Sequence, residues 1–235
     1  MTTSKTLSKR HEINMKRELS KALSSFKKRK NLLKKSISKK YGWNQRNDVN
    51  WRIESGYYFD ILHIDSWCYQ PSLHKVYLYV KPLYIDDLWW DIFEIPENKK
   101  GPMSLRGTGT FSILGIELME ESLFEELYES GIDAITQYPD EDIENIWNNT
   151  FQKIETEISR FLKENPDPNL YIPEENELNQ GRAYKLYALL THLHLGNKEQ
   201  ALKMIPELKV NQPGNCFIGP KGKDIDYIEA WCNKQ

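Results

Sequence analysis

The chain has 235 residues, 39% of them hydrophobic and 28% charged, with a formal net charge of −2. That length fits one large domain or a domain with a helical extension, and seven Trp and thirteen Tyr supply aromatic surface that a disordered chain lacks. No run of about 18 apolar residues occurs, so nothing reads as a membrane span. The basic start MTTSKTLSKRHEINMKRELS is followed by no apolar stretch of the kind a secretory signal needs.

The small net charge conceals a split. Residues 1–40 carry 14 Lys and Arg against two acids, Glu12 and Glu18, a net of +12; residues 41–235 carry 18 bases against 32 acids, a net of −14. A split of this kind marks an arm that meets nucleic acid or a membrane, or a basic helix lying against the acidic body of its own chain. The apolar stripe Met15, Leu19, Ala22, Leu23 and Phe26 favours the second reading. These residues follow helical spacing while Lys16, Arg17, Lys21, Lys27 and Lys28 fall largely on the other side, which predicts an amphipathic helix over about residues 10–30.

Beyond it, Leu33, Ile37, Tyr41 and Trp43 occupy odd positions between lysines, a strand pattern that a continued helix fits nearly as well. NWRIESGYYFDILHIDSW, interrupted at Gly56, predicts two strands or one long bulged strand, and HKVYLYVKP alternates as a strand that Pro82 ends. DDLWWDIF predicts a short Asp-capped helix, and TFSILGIEL a further strand after the Gly- and Pro-containing loop ENKKGPMSLRGTG. Short connections imply mainly antiparallel pairing. From residue 120 the pattern is helical: one helix over about 120–130, and one from Asp140 with the stripe Ile143, Trp147, Phe151, Ile154, Ile158 and Phe161. The Pro-rich segment ENPDPNLYIPEEN then predicts a boundary between residues 1–165 and a helical extension over 174–235, whose helices span about 178–195 and 198–209 with a last one near Trp231.

Within that extension AYKLYALLTHLHLGNKEQALKMIPEL resembles a tetratricopeptide helical hairpin, with Gly196 at the turn and Ala201 as the small residue of the second helix. The resemblance covers fewer than 30 residues without a second copy, and it implies contact with another protein rather than catalysis. The whole chain reads as α+β: an N-terminal helix, a mainly antiparallel sheet of about four or five strands, and a helical C-terminal half.

Chemistry-bearing residues are scattered. Asp60, His63 and Asp65 fall on a strand and Asp87 and Asp91 on one face of the short helix; together they would make a divalent-metal site for a hydrolase or nuclease. His192 and His194, two apart on a helix, diverge by about 200° and do not make a shared metal pair. No nucleophile-elbow, helical zinc or Walker motif occurs, and nothing implies a cofactor. Neither GPMSLRGTG with Arg106 nor NQPGNCFIGPKGKD with Lys221 and Lys223 carries the ending of a phosphate loop. Cys68, Cys216 and Cys232 match no metal spacing and read as free thiols of a reducing, cytoplasmic compartment.

The aromatic group Tyr57, Tyr58, Phe59, Trp67, Tyr77, Tyr79, Tyr84, Trp89 and Trp90 places rings on both faces of the expected sheet. Either helices cover the Tyr77 and Tyr79 face, or Tyr77, Tyr79, Trp89 and Trp90 form a binding surface. The expected function is that of a non-catalytic cytosolic binding protein, of the kind of a bacterial immunity or regulatory partner, most simply for another protein. The metal-dependent hydrolase and nucleic-acid binding through residues 9–40 are the alternatives.

Overall fold

The structure, a computed structural model, describes residues 2–46, 49–66, 73–107, 112–124, 127, 131–174, 181–210, 218–220 and 222–234. The architecture is α+β. Helix α1 (Thr2–Lys40) is followed by strands β1 (Asn44–Arg46), β2 (Val49–Glu54), β3 (Tyr57–Ser66) and β4 (Leu73–Pro82), helix α2 (Leu83–Ile92) and strand β5 (Ile116–Ser122). The helical half comprises α3 (Gly131–Gln137), α4 (Asp140–Glu164), α5 (Arg182–His194), α6 (Lys198–Val210) and α7 (Asp224–Lys234), with a small ribbon of β6 (Ile218–Gly219) and β7 (Gly222–Lys223) before α7. Strands β1 to β5 form one antiparallel sheet in chain order, as the short connections require.

The chain folds as two compact units that interleave along the sequence: residues 1–45, 63–76 and 121–156, and residues 46–62, 77–120 and 157–235. The Pro-rich segment after α4 therefore lies inside the second unit rather than at a boundary.

In the first unit α1 runs well past the expected end, because Leu33 and Ile37 are four apart and continue one helical face. Phe26 and Ile37 are buried, Leu19 and Leu23 are half-buried, and Met15 is 52% exposed. Phe26 meets the rings of Phe124 and Tyr138 edge-on at 5.6 and 5.9 Å. Arg29 Nε donates to Asp140 Oδ1 at 2.8 Å, and Tyr41 stacks on Phe151. Of the helix expected over about 120–130, residues 120–122 belong to β5, Leu127 is helical, and 125, 126 and 128–130 lie outside the described residues; α3 begins at Gly131.

In the second unit the segment around Gly56 is a hairpin of two strands. Glu54 pairs with Tyr57 across Ser55 (φ 49°) and Gly56 (φ 80°), a two-residue turn with both residues left-handed, which matches the twist of the flanking strands. A Cβ on Gly56 would lie 2.7 Å from Pro168 Cγ, so glycine is required there for space as well as for conformation. Helix α2 has Pro82 as its N-cap and no side-chain cap, so no Asp caps it. Its apolar residues pack toward α5 and α7, with Phe93 stacked on Tyr227 at 4.6 Å, and α6 packs on both α5 and α7. Among the described residues no helix is long and apolar enough to cross a membrane.

Candidate functional site

The four aromatic side chains expected to form a surface are mostly interior. Trp89 and Trp90 are 5% and 1% exposed, because the helices of the second unit cover α2. Tyr79 is buried at 9%; Tyr77, stacked on it at 6.0 Å, keeps partial exposure. Burial pushes the phenol of Tyr79 well above its ordinary range, with the charge of Glu117 adding to the effect. These rings hold the core together, and among the described residues they do not form a broad aromatic face.

Of the acids proposed for a metal, Asp87 and Asp91 are engaged in ion pairs. Asp87 Oδ1 accepts from Arg106 Nη2 at 2.7 Å, and Asp91 Oδ2 pairs with Lys99 Nζ at 2.5 Å. Asp60 is buried at 1% exposure, and His63 sits edge-on to Trp147 at 5.3 Å. Asp65 lies on β3, but its side chain is outside the described ones. Among the described residues no three His, Cys, Asp or Glu side chains gather into a cation site. His194 stacks on Tyr84 at 3.6 Å, and burial lowers its pKa; His192, half-buried, points elsewhere as the helical spacing requires. Cys232 is a buried free thiol, and burial raises its pKa; Cys68 and Cys216 lie outside the described residues.

Sequence reasoning missed a buried ionic cluster at the start of α2. Asp86 Oδ1 accepts from Lys81 Nζ at 2.9 Å and from the Ile113 N–H at 3.2 Å, while Lys81 also donates to the Ile113 carbonyl at 2.7 Å. Arg106 Nη1 lies 3.7 Å from Asp86 Oδ2 and donates to the Leu83 carbonyl, and its guanidinium covers the Trp90 ring at 4.9 Å. Lys81, Asp86 and Arg106 are all buried. Burial pushes the Asp86 carboxyl upward against the opposing pull of Lys81 and Arg106. The only sequence signal for it is a lysine at the last inward position of β4, five residues before an aspartate. With every member neutralised by another, the cluster ties Arg106 and Ile113 to the start of α2 and offers no free group to a substrate.

Two accessible features stand out among the described residues. The first is a half-open cleft of about 410 Å³ in the second unit, with Leu118, Phe161, Tyr171 and Ile172 as apolar walls and Glu164, Glu174 and Arg160 as charged ones. Arg160 is held by Glu157 and Glu164. The second is the outer side of α1. At about 100° per residue Arg17, Lys21, Lys28, Lys35 and Lys39 fall within about 40° of one another, opposite Phe26, Lys30 and Ile37 on the packed face. All five are exposed, whereas Phe26, Lys30 and Ile37 are buried. The charge on α1 is thus sorted by packing. Lys30 and Lys34 turn inward, Lys30 over the rings of Phe26 and Phe124 and Lys34 over Trp147, while Lys21, Lys28, Lys35 and Lys39 line up with Arg17 on the surface.

No known family model, curated protein or solved structure matches this chain.

Proposed function

We propose that the protein is a non-catalytic binding protein that meets its partner through the solvent-facing side of α1. The observation that carries this reading is the line of five exposed cations set opposite the helix's packing face. A solvated helix face has no structural need for like charges at a seven-residue period, since neighbouring like charges repel. Recognition of an anionic surface does need them. The ionisable groups of the second unit supply complementary support: Asp86, Asp87, Asp91 and Asp224 each pair with a neighbouring Lys or Arg and so serve the fold.

The test is photocrosslinking in the native host. A diazirine amino acid at position 28 or 35 reports α1, and the same group at Lys203 on α6 serves as control. Adducts at positions 28 and 35 and none at 203 are expected. Equal labelling at all three positions, or none on α1, would overturn the assignment.

A further inference from the structure

We infer that α1 binds the phosphate backbone of double-stranded nucleic acid, independently of sequence. The inference rests on the reading of α1 as the docking element and names its partner. Lys21, Lys28 and Lys35 are spaced about 10.5 Å apart at 1.5 Å per residue, and Arg17 to Lys39 spans about 33 Å, close to the roughly 34 Å of one duplex turn. A helix with cations at a regular rise faces a polyanion whose charges are also regularly spaced. Between the cations the same side carries Ser24, Ser25 and Asn31, whose hydroxyls and amide donate to phosphate oxygens, beside one exposed apolar side chain, Leu32; Glu18, paired with Lys21 at 3.2 Å, is the only acid on α1 beyond residue 12.

The composition of the stripe decides between partners. Four lysines, one arginine and no aromatic ring are unlike a protein-binding hot spot, where lysine is depleted and aromatic anchors dominate. Single strands require stacking platforms, and the ring that α1 carries before Tyr41, Phe26, is 1% exposed on the opposite side. A helix lying on a bilayer requires a continuous apolar face turned outward, whereas Phe26 and Ile37 are buried within the first unit and the exposed Ile13, Met15 and Leu32 stand about 100° or more apart around the helix.

The experiment is fluorescence anisotropy of the full chain with a labelled duplex of about two turns, as DNA and as RNA, over a salt series. Neutralisation of five phosphates gives a slope of log K against log salt of about −4 to −5, hence a loss of several hundredfold between about 50 and 200 mM salt. K28Q and K35Q each reduce the slope by about 1, and K203Q leaves it unchanged. Equal affinity for both duplexes indicates the shared backbone, and preference for one identifies the source. Thermal melts of K28Q and K35Q should overlay the parent, since both side chains are exposed. A duplex that fails to bind at low salt, binding indifferent to K28Q and K35Q, tighter binding to a single strand, or binding only to phosphatidylglycerol vesicles would each overturn the inference. Protein adducts on α1 without duplex binding would remove the nucleic acid and keep α1 as the docking element; absence of any adduct on α1 would remove both.

Discussion

At the scale of single residues, an ionisable side chain is either neutralised inside the fold or left to water, and the two cases predict different energies. Asp86 is wholly buried between Lys81 and Arg106, whereas Asp91 pairs with Lys99 at the surface. Asp86→Asn leaves Lys81 buried without its closest counter-charge, and such losses cost about 3–5 kcal/mol. Asp91→Asn should cost less than about 1 kcal/mol, because solvent screens an exposed pair. Urea titration of both variants checks this; similar midpoints would mean that the cluster does not clamp α2. Neither role is visible in DDLWWDIF, where an Asp reads as the cap and Asp87 and Asp91 share a face. Burial assigns the roles, and burial depends on where Arg106 and Ile113 come to lie.

At the scale of elements, α1 shows how far periodicity reaches. The stripe from Met15 to Phe26 specifies a helix and its inner face, but not where along the helix the contact with the rest of the unit begins. That point lies between Met15, half in solvent, and Phe26, enclosed by Phe124 and Tyr138. Phe26→Ala should therefore destabilise by about 3–5 kcal/mol, and Met15→Ala by no more than about 0.5 kcal/mol. Equal effects in thermal melts would place the start of the contact wrongly. The choice between strand and helix over residues 33–43 turned on the same point: positions 33 and 37 satisfy both a two-residue and a four-residue period, and only packing separates them. The hairpin at Ser55–Gly56 was easier to read, since a glycine between two aromatic and β-branched runs leaves few turn geometries.

At the scale of the whole molecule, the tyrosines couple fold and pH. Tyr57, Tyr58, Tyr79, Tyr171 and Tyr187 all have phenols raised above the ordinary 10.0, first by burial and then by nearby acidic groups or one another. The folded state holds their protons more tightly than the unfolded state, so their contribution is fully present below pH 10.0 and is lost as pH rises through the folded values. An alkaline titration should show an early, reversible tyrosinate signal from exposed phenols, followed by a second that coincides with loss of circular dichroism. A single smooth transition with the fold intact would contradict the burial of these rings.

By itself the sequence determined the α+β class, an amphipathic N-terminal helix and the split of charge along the chain, and it narrowed the segment around Gly56 to two strands or one bulged strand. These depend on local spacing, turn residues and counts, which neighbours in sequence settle. Tertiary structure decided which aromatics are core and which acids are paired, and it left one lysine line on the surface while others turned inward. Those outcomes depend on which distant segment arrives to exclude water, and Trp89, Asp86 and Lys30 carry no local mark of it.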